Sequence, residues 1–418
     1  MNLALIIFLN FLLYISIFSQ NNAIKNNNNN IDIDFILETT KENNPNIKIK
    51  EMESDINKTE VSKTFKSLIL PPVSLSQSKN LDNLKSEDVK FQRLDARIEV
   101  FEGGKSYYTY KQAQVNDQIA EKNVFLTTLE YQEKAIEHYF NVLNYRKQIE
   151  ITSLVINALK NQSKKLSSLF ENGQQIALSE IYKIDADIEL NNAINIDNKQ
   201  NEQTNIENLY TLLGIELDSE NNFLDFSIDK YLKNKINYKE DEKKLLTDSS
   251  IVQKEKLKVQ VAEYDVKLAK ADLYPTVYAG SKYVIYDDDN DSNEGWMVEV
   301  GFKILFAWGG TLDSVNQSKK NLEISKLNFE TNLKDLNVKF REQYRMMQSL
   351  YGQLLAQKKR LDLLNKNMTL DTLRYDNQLI STFDYLNSIN ELKKSQEEYY
   401  RLQRNLVLTT IKYENLAR

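Results

Sequence analysis

Apolar residues along this chain follow two different periods, and the change between them predicts its elements. From residue 311 to residue 375 they recur every seven residues in two registers, with no proline and one glycine, Gly352. Two such registers, four residues apart, form the seam of a left-handed coiled coil. The first register is Leu333, Phe340, Met347, Leu354, Leu361 and Met368; the second is Phe329, Leu336, Leu350 and Leu364, with Gln343 and Gln357 as polar exceptions. The pattern predicts one helix of roughly 100 Å.

A second rod of about the same length is predicted over residues 106–171, and shorter helices flank both rods. Its apolar positions are Val124, Leu126, Leu129, Ile136, Phe140, Leu143 and Ile149. The shorter helices are predicted over residues 33–70, 179–213, 251–273 and 382–416. Two short helices placed end to end match one long helix. Each set of three is therefore expected to form a pair of antiparallel coiled-coil strands.

Between the helices the apolar period falls to two, which indicates β-strands. The clearest alternation is Trp296, Val298, Val300, Phe302, Ile304 and Phe306, and weaker alternation runs over residues 276–286, 73–78 and 94–100. Strands of ~10 residues with an apolar face suit either a soluble sheet or a transmembrane β-barrel. Aromatic residues that would suit the interfacial girdles of a barrel are Trp296, Phe306, Trp308, Tyr278, Tyr283 and Tyr286. Four strands cannot close a membrane barrel, so strands that span would require oligomerisation.

Turn residues occur twice along the chain in the same order, which indicates a duplication. Pro71 and Pro275 are 204 residues apart, the diglycines Gly103–Gly104 and Gly309–Gly310 are 206 apart, and Asn172 and Asn377 are 205 apart. Each copy is a helix, a β-hairpin and a helix. We assign residues 31–214 to the first repeat, with strands at about 73–101. Residues 247–418 form the second repeat, with strands at about 276–308, and residues 215–246 form a connector packed on the outside of the rods.

Composition narrows the class of protein. The 418 residues include only 10 glycines and 4 prolines, too few for many short elements, and a net charge of -6 without a basic stripe makes nucleic acid an unlikely partner. The absence of cysteine excludes disulfides and lipid attachment through cysteine. An apolar run over residues 3–18 predicts a secretory signal peptide at residues 1–20. The alternative is an uncleaved membrane anchor, although the run is slightly shorter than the ~20 residues that span a bilayer.

No sequence pattern indicates an enzyme. The chain contains no nucleophile elbow, phosphate-binding loop, zinc-binding helix motif or Cys/His cluster, so no catalytic residue, no metal site and no cofactor are expected. The single histidine, His138, lies in a helix and is interpreted as a surface or packing residue rather than a site. The acidic tract at residues 287–291 lacks the ligand spacing of an EF-hand and is interpreted as a solvated hairpin tip.

Taken together, these features resemble the TolC-type outer-membrane efflux channels, over nearly everything after the signal peptide. The resemblance rests on the duplicated plan, the helix exits at Pro71 and Pro275, the glycine turns at Gly103 and Gly309, and the closing segment from Arg374 to Leu392. It implies a mainly α fold with a β part. Long coiled-coil helices would form a periplasmic α-barrel, and four strands per chain would complete a 12-stranded transmembrane β-barrel in a homotrimer.

The resemblance also implies where the functional residues lie. Carboxylates after the second helical tip ring the periplasmic entrance in this family, and Asp384 falls at the first of these positions. The second position is Asn387, which departs from the family pattern, and Glu180 occupies the matching place after the first tip. The alternative is that Asp384 and Glu180 are ordinary carboxylates in the first turn of a helix. The tips expected to dock an adaptor are Asn172, Gly173, Asn377 and Gln378.

Two functions remain open from the sequence. In the first, the chain is the outer-membrane channel of a tripartite export system in a Gram-negative bacterium, with a large periplasmic part. It would take drugs, small molecules or secreted protein from an inner-membrane pump through a periplasmic adaptor, and outer-membrane lipid would surround its barrel. In the second, the chain is an exported, non-conducting coiled-coil scaffold whose strands form a soluble cap.

Overall fold

A computed structural model describes residues 30–79, 90–174, 177–216, 222–226, 228, 237–288, 291–304 and 309–418. The predicted signal peptide, residues 1–20, lies outside these residues, as do Phe306 and Trp308. Eight helices are described: α1 (Ile33–Asn43), α2 (Pro45–Ile69), α3 (Lys105–Glu171), α4 (Leu178–Leu213), α5 (Tyr238–Asp248), α6 (Ser250–Ala271), α7 (Gly310–Asp376) and α8 (Thr382–Leu416). The described strands are β1 (Asn30–Ile31), β2 (Val73–Lys79), β3 (Lys90–Glu102), β4 (Asn222–Phe223), β5 (Thr276–Asp288) and β6 (Asp291–Lys303).

The two predicted rods are α3 and α7, each of 67 residues and therefore about 100 Å long. Both begin after a glycine with positive φ, which is +84° at Gly104 and +91° at Gly309. They end at Asn172 and Asn377. The N-terminal caps of the two rods are thus 205 residues apart, and so are the C-terminal caps. This corrects the offset of 206 inferred from the diglycines, because Gly104 rather than Gly103 is the structural equivalent of Gly309.

The short helices pack along the rods in a fixed order. Helices α2 and α4 both contact α3, while α6 and α8 both contact α7, so each repeat pairs two short helices with one long helix. Helix α3 also contacts α6 and α8 of the other repeat. The helices of one chain therefore form a row in which short pairs and rods alternate, with the α2 and α4 pair at one edge and α7 at the other.

The predicted helix over residues 33–70 is two helices, which corrects that prediction. Asn44 ends α1 in an extended conformation, and Pro45 is the first residue of α2. The Asn44 side chain accepts hydrogen bonds from the N–H groups of Asn46 at 2.9 Å and Ile47 at 3.3 Å, and it donates to Leu212 O at 2.6 Å. Proline favours the first position of a helix because its missing N–H needs no partner there. The break anchors the start of α2 to the end of α4.

The heptad seam of α7 is buried where it meets its short partners. Its buried apolar residues in this stretch are Leu336, Phe340, Met347, Leu350 and Leu354. Gln357, a polar exception of the pattern, is also buried and donates to the carbonyl and hydroxyl oxygens of Ser395 on α8, both at 2.9 Å. A buried polar group needs such partners, so Gln357 fixes the alignment of α7 with α8.

Strands β2, β3, β5 and β6 form one antiparallel sheet in that order. Each hairpin comes from one repeat, and the β3–β5 pairing joins the two repeats. One face is apolar and strongly exposed, with Leu75, Val298 and Val300 leaving 77%, 81% and 76% of their surfaces open. The opposite face carries Arg97, Lys282 and other charged residues. The outer edges of the sheet are β2 and β6.

The connector contributes to a core at the middle of the rods. Strand β4 pairs in parallel with β1, and Phe223 packs into a cluster with Ile36, Tyr139 and Leu209. Helix α5 packs on α6 and α7. The Tyr413 hydroxyl donates to Asp241 at 3.0 Å, which ties the last helix to the connector. Within the described part of the chain, no helix has the length and apolar character needed to cross a membrane.

Candidate functional site

Both helical tips, where α3 turns into α4 and α7 turns into α8, have the same backbone turn. In the first, the Gln174 N–H donates to Leu169 O at 3.1 Å, and in the second the Leu379 N–H donates to Arg374 O at 2.8 Å. Such a bond, spanning the end of a helix, defines the Schellman motif. The residue that reverses the chain has positive φ, +79° at Gly173 and +59° at Gln378. The four predicted docking residues are all exposed, and they occupy equivalent places: Asn172 and Gly173, Asn377 and Gln378.

Asp384 is the third residue of α8 and its side chain is exposed. It forms a capping box with Ser381. The Ser381 hydroxyl donates to the Asp384 carboxylate at 2.7 Å and accepts from the Asp384 N–H at 3.1 Å. A capping box satisfies donors at the start of a helix. Asp384 therefore has a structural role, while its exposure leaves the charge available at the tip surface.

Glu180 is the third residue of α4, so it holds the same position in the first repeat that Asp384 holds in the second. The two carboxylates have different surroundings. Glu180 is half-buried and accepts a hydrogen bond from Thr382 Oγ1 at 3.3 Å, at the start of α8. Asn387 lies one helical turn after Asp384 and is exposed. The two predicted gate positions after the second tip are thus both exposed, and one is charged and the other neutral.

Sequence reasoning missed the contacts that join the two tips of a chain and those that close the second tip. Lys165 of α3 forms an ion pair with Asp376 of α7 at 2.7 Å. The Tyr375 hydroxyl shares a hydrogen bond with Thr382 Oγ1 at 2.9 Å, and the Tyr375 and Tyr385 rings stack with centroids 4.4 Å apart. Burial raises the pKa of Tyr385 above its ordinary value. No periodic signal marked these residues, because each pair joins different helices.

Beneath the tips lies an apolar cluster contributed by all four tip helices. Its buried members are Ile156, Leu159, Leu166, Ile181, Ile184, Ile188, Tyr375, Tyr385, Leu386 and Ile389. One carboxylate, Asp371, is also buried and accepts hydrogen bonds from Ser388 at 2.6 Å and Asn367 at 2.7 Å. The two tips of one chain therefore pack as a unit.

The predicted turn residues lie at the junction between helices and sheet. Pro71 and Pro275 precede the first strand of each hairpin, and Gly310 is the first residue of α7. Gly103 has φ +63°, and a Cβ there would lie 2.6 Å from Ala271 O. Only glycine therefore fits at this close approach. The junction is also held by an ion pair between Lys105 and Asp272 at 2.8 Å.

The remaining candidate positions are His138 and the acidic tract at residues 287–291. The His138 Nδ1 lies 2.9 Å from Asn205 Oδ1 of the neighbouring helix α4, which is a packing contact. In the acidic tract, β5 ends at Asp288 and β6 begins at Asp291, and the residues between them lie outside the described ones. Within the described ranges, no group of three or more His, Asp or Glu residues is arranged to hold a metal ion.

Residues 243–414 match the family model described as outer membrane efflux protein. The chain contains an outer membrane efflux protein domain. This domain covers nearly all of the second repeat, and it confirms the family resemblance drawn from the turn residues and the closing segment. A search of curated proteins by sequence found no match.

Solved outer-membrane channels share the fold of the whole chain. CusC has a TM-score of 0.80 at 14% identity, over 96% of this chain and 95% of that chain. The CmeC outer membrane channel of Campylobacter jejuni has a TM-score of 0.79 at 16% identity, over 92% and 86%. The MtrE outer membrane channel of Neisseria gonorrhoeae, in its open state, has 0.77 at 13%, over 92% and 88%. The predicted fold class, mainly α with a β part built on the duplicated plan, is confirmed.

Proposed function

We propose that this chain is the trimeric outer-membrane channel of a tripartite export system in a Gram-negative bacterium. Cargo would enter from an inner-membrane pump and a periplasmic adaptor, pass through the helical tunnel, and leave through the barrel. The cargo class is drugs, other small molecules or secreted protein. The observation that carries the proposal concerns the contacts between the two repeats of one chain. Among the described residues, the equivalent sheet edges and helix surfaces at the two ends of the chain lack such a contact.

The sheet is the clearer case. Inside the chain, the second strand of the first hairpin, β3, pairs with the first strand of the second hairpin, β5. By the same rule, the second strand of the second hairpin, β6, would pair with β2 of the next chain. An apolar face in lipid tolerates no open edge. Three copies joined in this way would give a closed barrel of 12 strands, with the apolar face turned to the lipid.

The helices repeat the same argument. Rod α3 packs on the short pair of the second repeat, α6 and α8. Rod α7 is the equivalent of α3, and it would receive α2 and α4 of a neighbouring chain. Helix α2 carries an exposed apolar stripe for this contact, formed by Ile49, Met52 and Ile56 with 51%, 65% and 68% of their surfaces open. The equivalent positions of α6 in the second repeat, 205 residues later, are Lys254, Leu257 and Val261.

The tips would form the periplasmic entrance of the tunnel. In a threefold ring, Asp384 would place three carboxylates close together, which favours cations at a constriction. Asn387 would add a neutral ring, so this entrance would hold cations more weakly than two charged rings. Glu180 bonds to Thr382 of its own chain and would contribute less. The exposed residues Asn172, Gly173, Asn377 and Gln378 would meet the adaptor.

The alternative is an exported coiled-coil scaffold that does not conduct. The exposed apolar face of the sheet argues against it, because residues such as Val298, with 81% of its surface open, would face water in a soluble cap. The chain is proposed to provide a passage rather than to catalyse a reaction, and to act without a cofactor.

Cell fractionation followed by electrophysiology tests the proposal. The protein should be recovered with the outer membrane, need detergent for extraction, and run as a trimer that dissociates on heating. The purified trimer should conduct ions in planar lipid bilayers. Recovery as a soluble periplasmic protein, or a trimer without conductance, would support the scaffold instead.

A further inference from the structure

On the polar face of the sheet, one row of residues crosses three strands. Arg97 of β3 lies opposite Gly280 of β5, and Gly280 lies opposite Glu299 of β6. Arg97 and Glu299 form an ion pair although a complete strand separates them. Strands two places apart are about 9.5 Å from each other. The Arg97 side chain must therefore lie flat across β5 to reach Glu299.

Gly280 leaves the path for this crossing open. A Cβ at this position would lie 3.0 Å from Ala96 O and 3.4 Å from both the Cα and the Cβ of Arg97. A larger side chain would stand in the space that the arginine occupies. The row thus combines a long cation, a glycine beneath it and an acid at the far end.

The next row along the sheet uses an aromatic ring in the same way. Tyr278 of β5 lies opposite Gly301 of β6. A Cβ at Gly301 would lie 2.5 Å from the Tyr278 hydroxyl oxygen and 2.6 Å from its Cζ, so the ring covers the glycine. The Arg97 guanidinium in turn lies 4.4 Å from the centre of the Tyr278 ring, a cation–π distance. Both large side chains are held against the sheet.

The charges of this face are balanced by a shared acceptor. Glu299 accepts from Arg97 and lies 3.7 Å from Lys282 Nζ. Arg93 is paired with Asp95 at 2.5 Å. Glu299 is half-buried, with 31% of its side chain open, and it faces two cations. Removal of its charge would leave Arg97 without its ion-pair partner and make this face more positive, with Asp95, opposite Lys282, as a remaining carboxylate.

We propose that Arg97, Glu299 and Lys282 set the ion selectivity and the open width of the barrel lumen. Gly280 lets Arg97 lie flat against the wall, and Gly301 lets the neighbouring Tyr278 ring do the same. The proposal rests on the proposed channel function, in which the apolar face meets lipid and this face lines the lumen. The solutes it acts on are small hydrated ions and charged cargo. The two glycines leave space for the large side chains to lie on the wall, and Glu299 offsets the positive charge of Arg97 and Lys282.

Charge variants test the selectivity, and each is made in an Asp384→Ala background so that the charge ring proposed at the tips does not dominate the reversal potential. In planar bilayers under a potassium chloride gradient, Glu299→Gln should shift the reversal potential towards chloride, and Arg97→Gln should shift it towards potassium. Glu294→Gln is the matched control, since Glu294 lies on the same strand but on the opposite face, where it accepts from the Tyr283 hydroxyl at 2.7 Å. It should leave the reversal potential unchanged. Reversal potentials equal to that of the Asp384→Ala parent in both lumen variants would overturn the proposal.

A pair of glycine variants in the same background tests the width. Gly301→Ala should push the Tyr278 ring, and Arg97 with it, away from the wall and lower the single-channel conductance. Gly295→Ala is the control, because Gly295 lies on the same strand and face but an added Cβ meets no atom within 4 Å. Equal conductance in the two variants would overturn this part. If Gly301→Ala fails to assemble, the charge variants decide the proposal.

The outcomes separate this inference from the function on which it depends. A wild-type trimer that does not conduct removes the channel function itself. A conducting wild type with unchanged lumen variants removes only the role assigned to Arg97 and Glu299.

Discussion

Two tip residues, Gly173 and Gln378, make the same turn with different chemistry. Both have positive φ, +79° and +59°, at equivalent places in the two repeats. A left-handed backbone conformation costs an L residue about 1–2 kcal/mol, whereas glycine adopts it freely. The duplicated turn has therefore kept its conformation at the second tip without the residue that suits it best.

Exchanging these residues should change stability in opposite directions. Gln378→Gly should raise the free energy of unfolding by about 1 kcal/mol, and Gly173→Ala should lower it by about the same amount. A Cβ at Gly173 meets no atom within 4 Å, so its effect comes from the backbone alone. Denaturant unfolding of the detergent-solubilised protein, followed by circular dichroism, gives both values. A loss of stability in Gln378→Gly would contradict the explanation.

Asp384 has two possible roles, as a helix cap and as a gate charge, and two variants separate them. Ser381→Ala removes the cap but keeps the carboxylate, so it should cost about 1 kcal/mol of stability and leave conductance unchanged. Asp384→Ala removes the carboxylate but keeps the hydrogen bond from the N–H of residue 384 to Ser381 Oγ, and it should raise conductance and reduce block by divalent cations. Single-channel recording with and without magnesium measures the difference. If the two variants conduct alike, Asp384 is only a cap.

At the scale of elements, the heptad pattern of the second rod and the equivalent place in the first repeat predicted the two rods to within one residue at each end. The same pattern treated Gln357 as an exception to the seam, although it lies buried in the seam and bonds to Ser395. Periodicity identifies which side of a helix is covered, but it cannot tell which helix covers it. The partner of Gln357, like the partner of Lys165, comes from a distant part of the chain.

Helix breaks and tip contacts were harder to predict from the sequence for the same reason. Residues 33–70 have helical character throughout, and the break at Asn44 depends on a hydrogen bond to Leu212, 168 residues away. The predicted gate residues lie at the tips, where the turn residues placed them. Their different surroundings, with Asp384 in a capping box and Glu180 against Thr382, depend on how the two tips pack together.

Lys393 offers a test of packing between α8 and α4. It is buried, and its Nζ donates to Asn191 Oδ1 at 2.8 Å. Burial lowers the pKa of Lys393, with Glu397 partly opposing the shift. As pH rises towards the ordinary lysine pKa of 10.5, the folded protein loses this proton before the unfolded chain does. The contribution of Lys393 to stability should therefore increase with pH in that range.

The comparison with Lys393→Met isolates this group from the other titrations of the protein. The free energy of unfolding of wild type minus that of the variant should rise between pH 7 and the ordinary lysine pKa of 10.5, measured by denaturant unfolding at a series of pH values. A difference that stays constant with pH would mean that Lys393 keeps an ordinary pKa when folded.

At the scale of the whole molecule, the duplication predicts how one chain meets the next. Inside the chain, Gln112 of α3 donates to Asp265 of α6 at 2.6 Å, across the joint between the repeats. The residues 205 positions away are Gln317 on α7 and Glu60 on α2, and both are exposed in the single chain. The caps of α2 and α6, Asn44 and Ser249, and those of α3 and α7 have this same offset. Gln317 should therefore face Glu60 of the neighbouring chain.

Cysteine cross-linking can measure this contact directly, because the protein has no cysteine of its own. The double variant Gln317→Cys with Glu60→Cys should form disulfides between chains on mild oxidation. It should migrate as covalent dimers and trimers in a non-reducing gel. Gln112→Cys with Asp265→Cys is the matched control and should cross-link within one chain, without larger species. A control that oxidises while the first variant stays monomeric would show that the contact between chains differs from the contact between repeats. The proposal that the ring of chains closes by repeating this one contact would then be wrong.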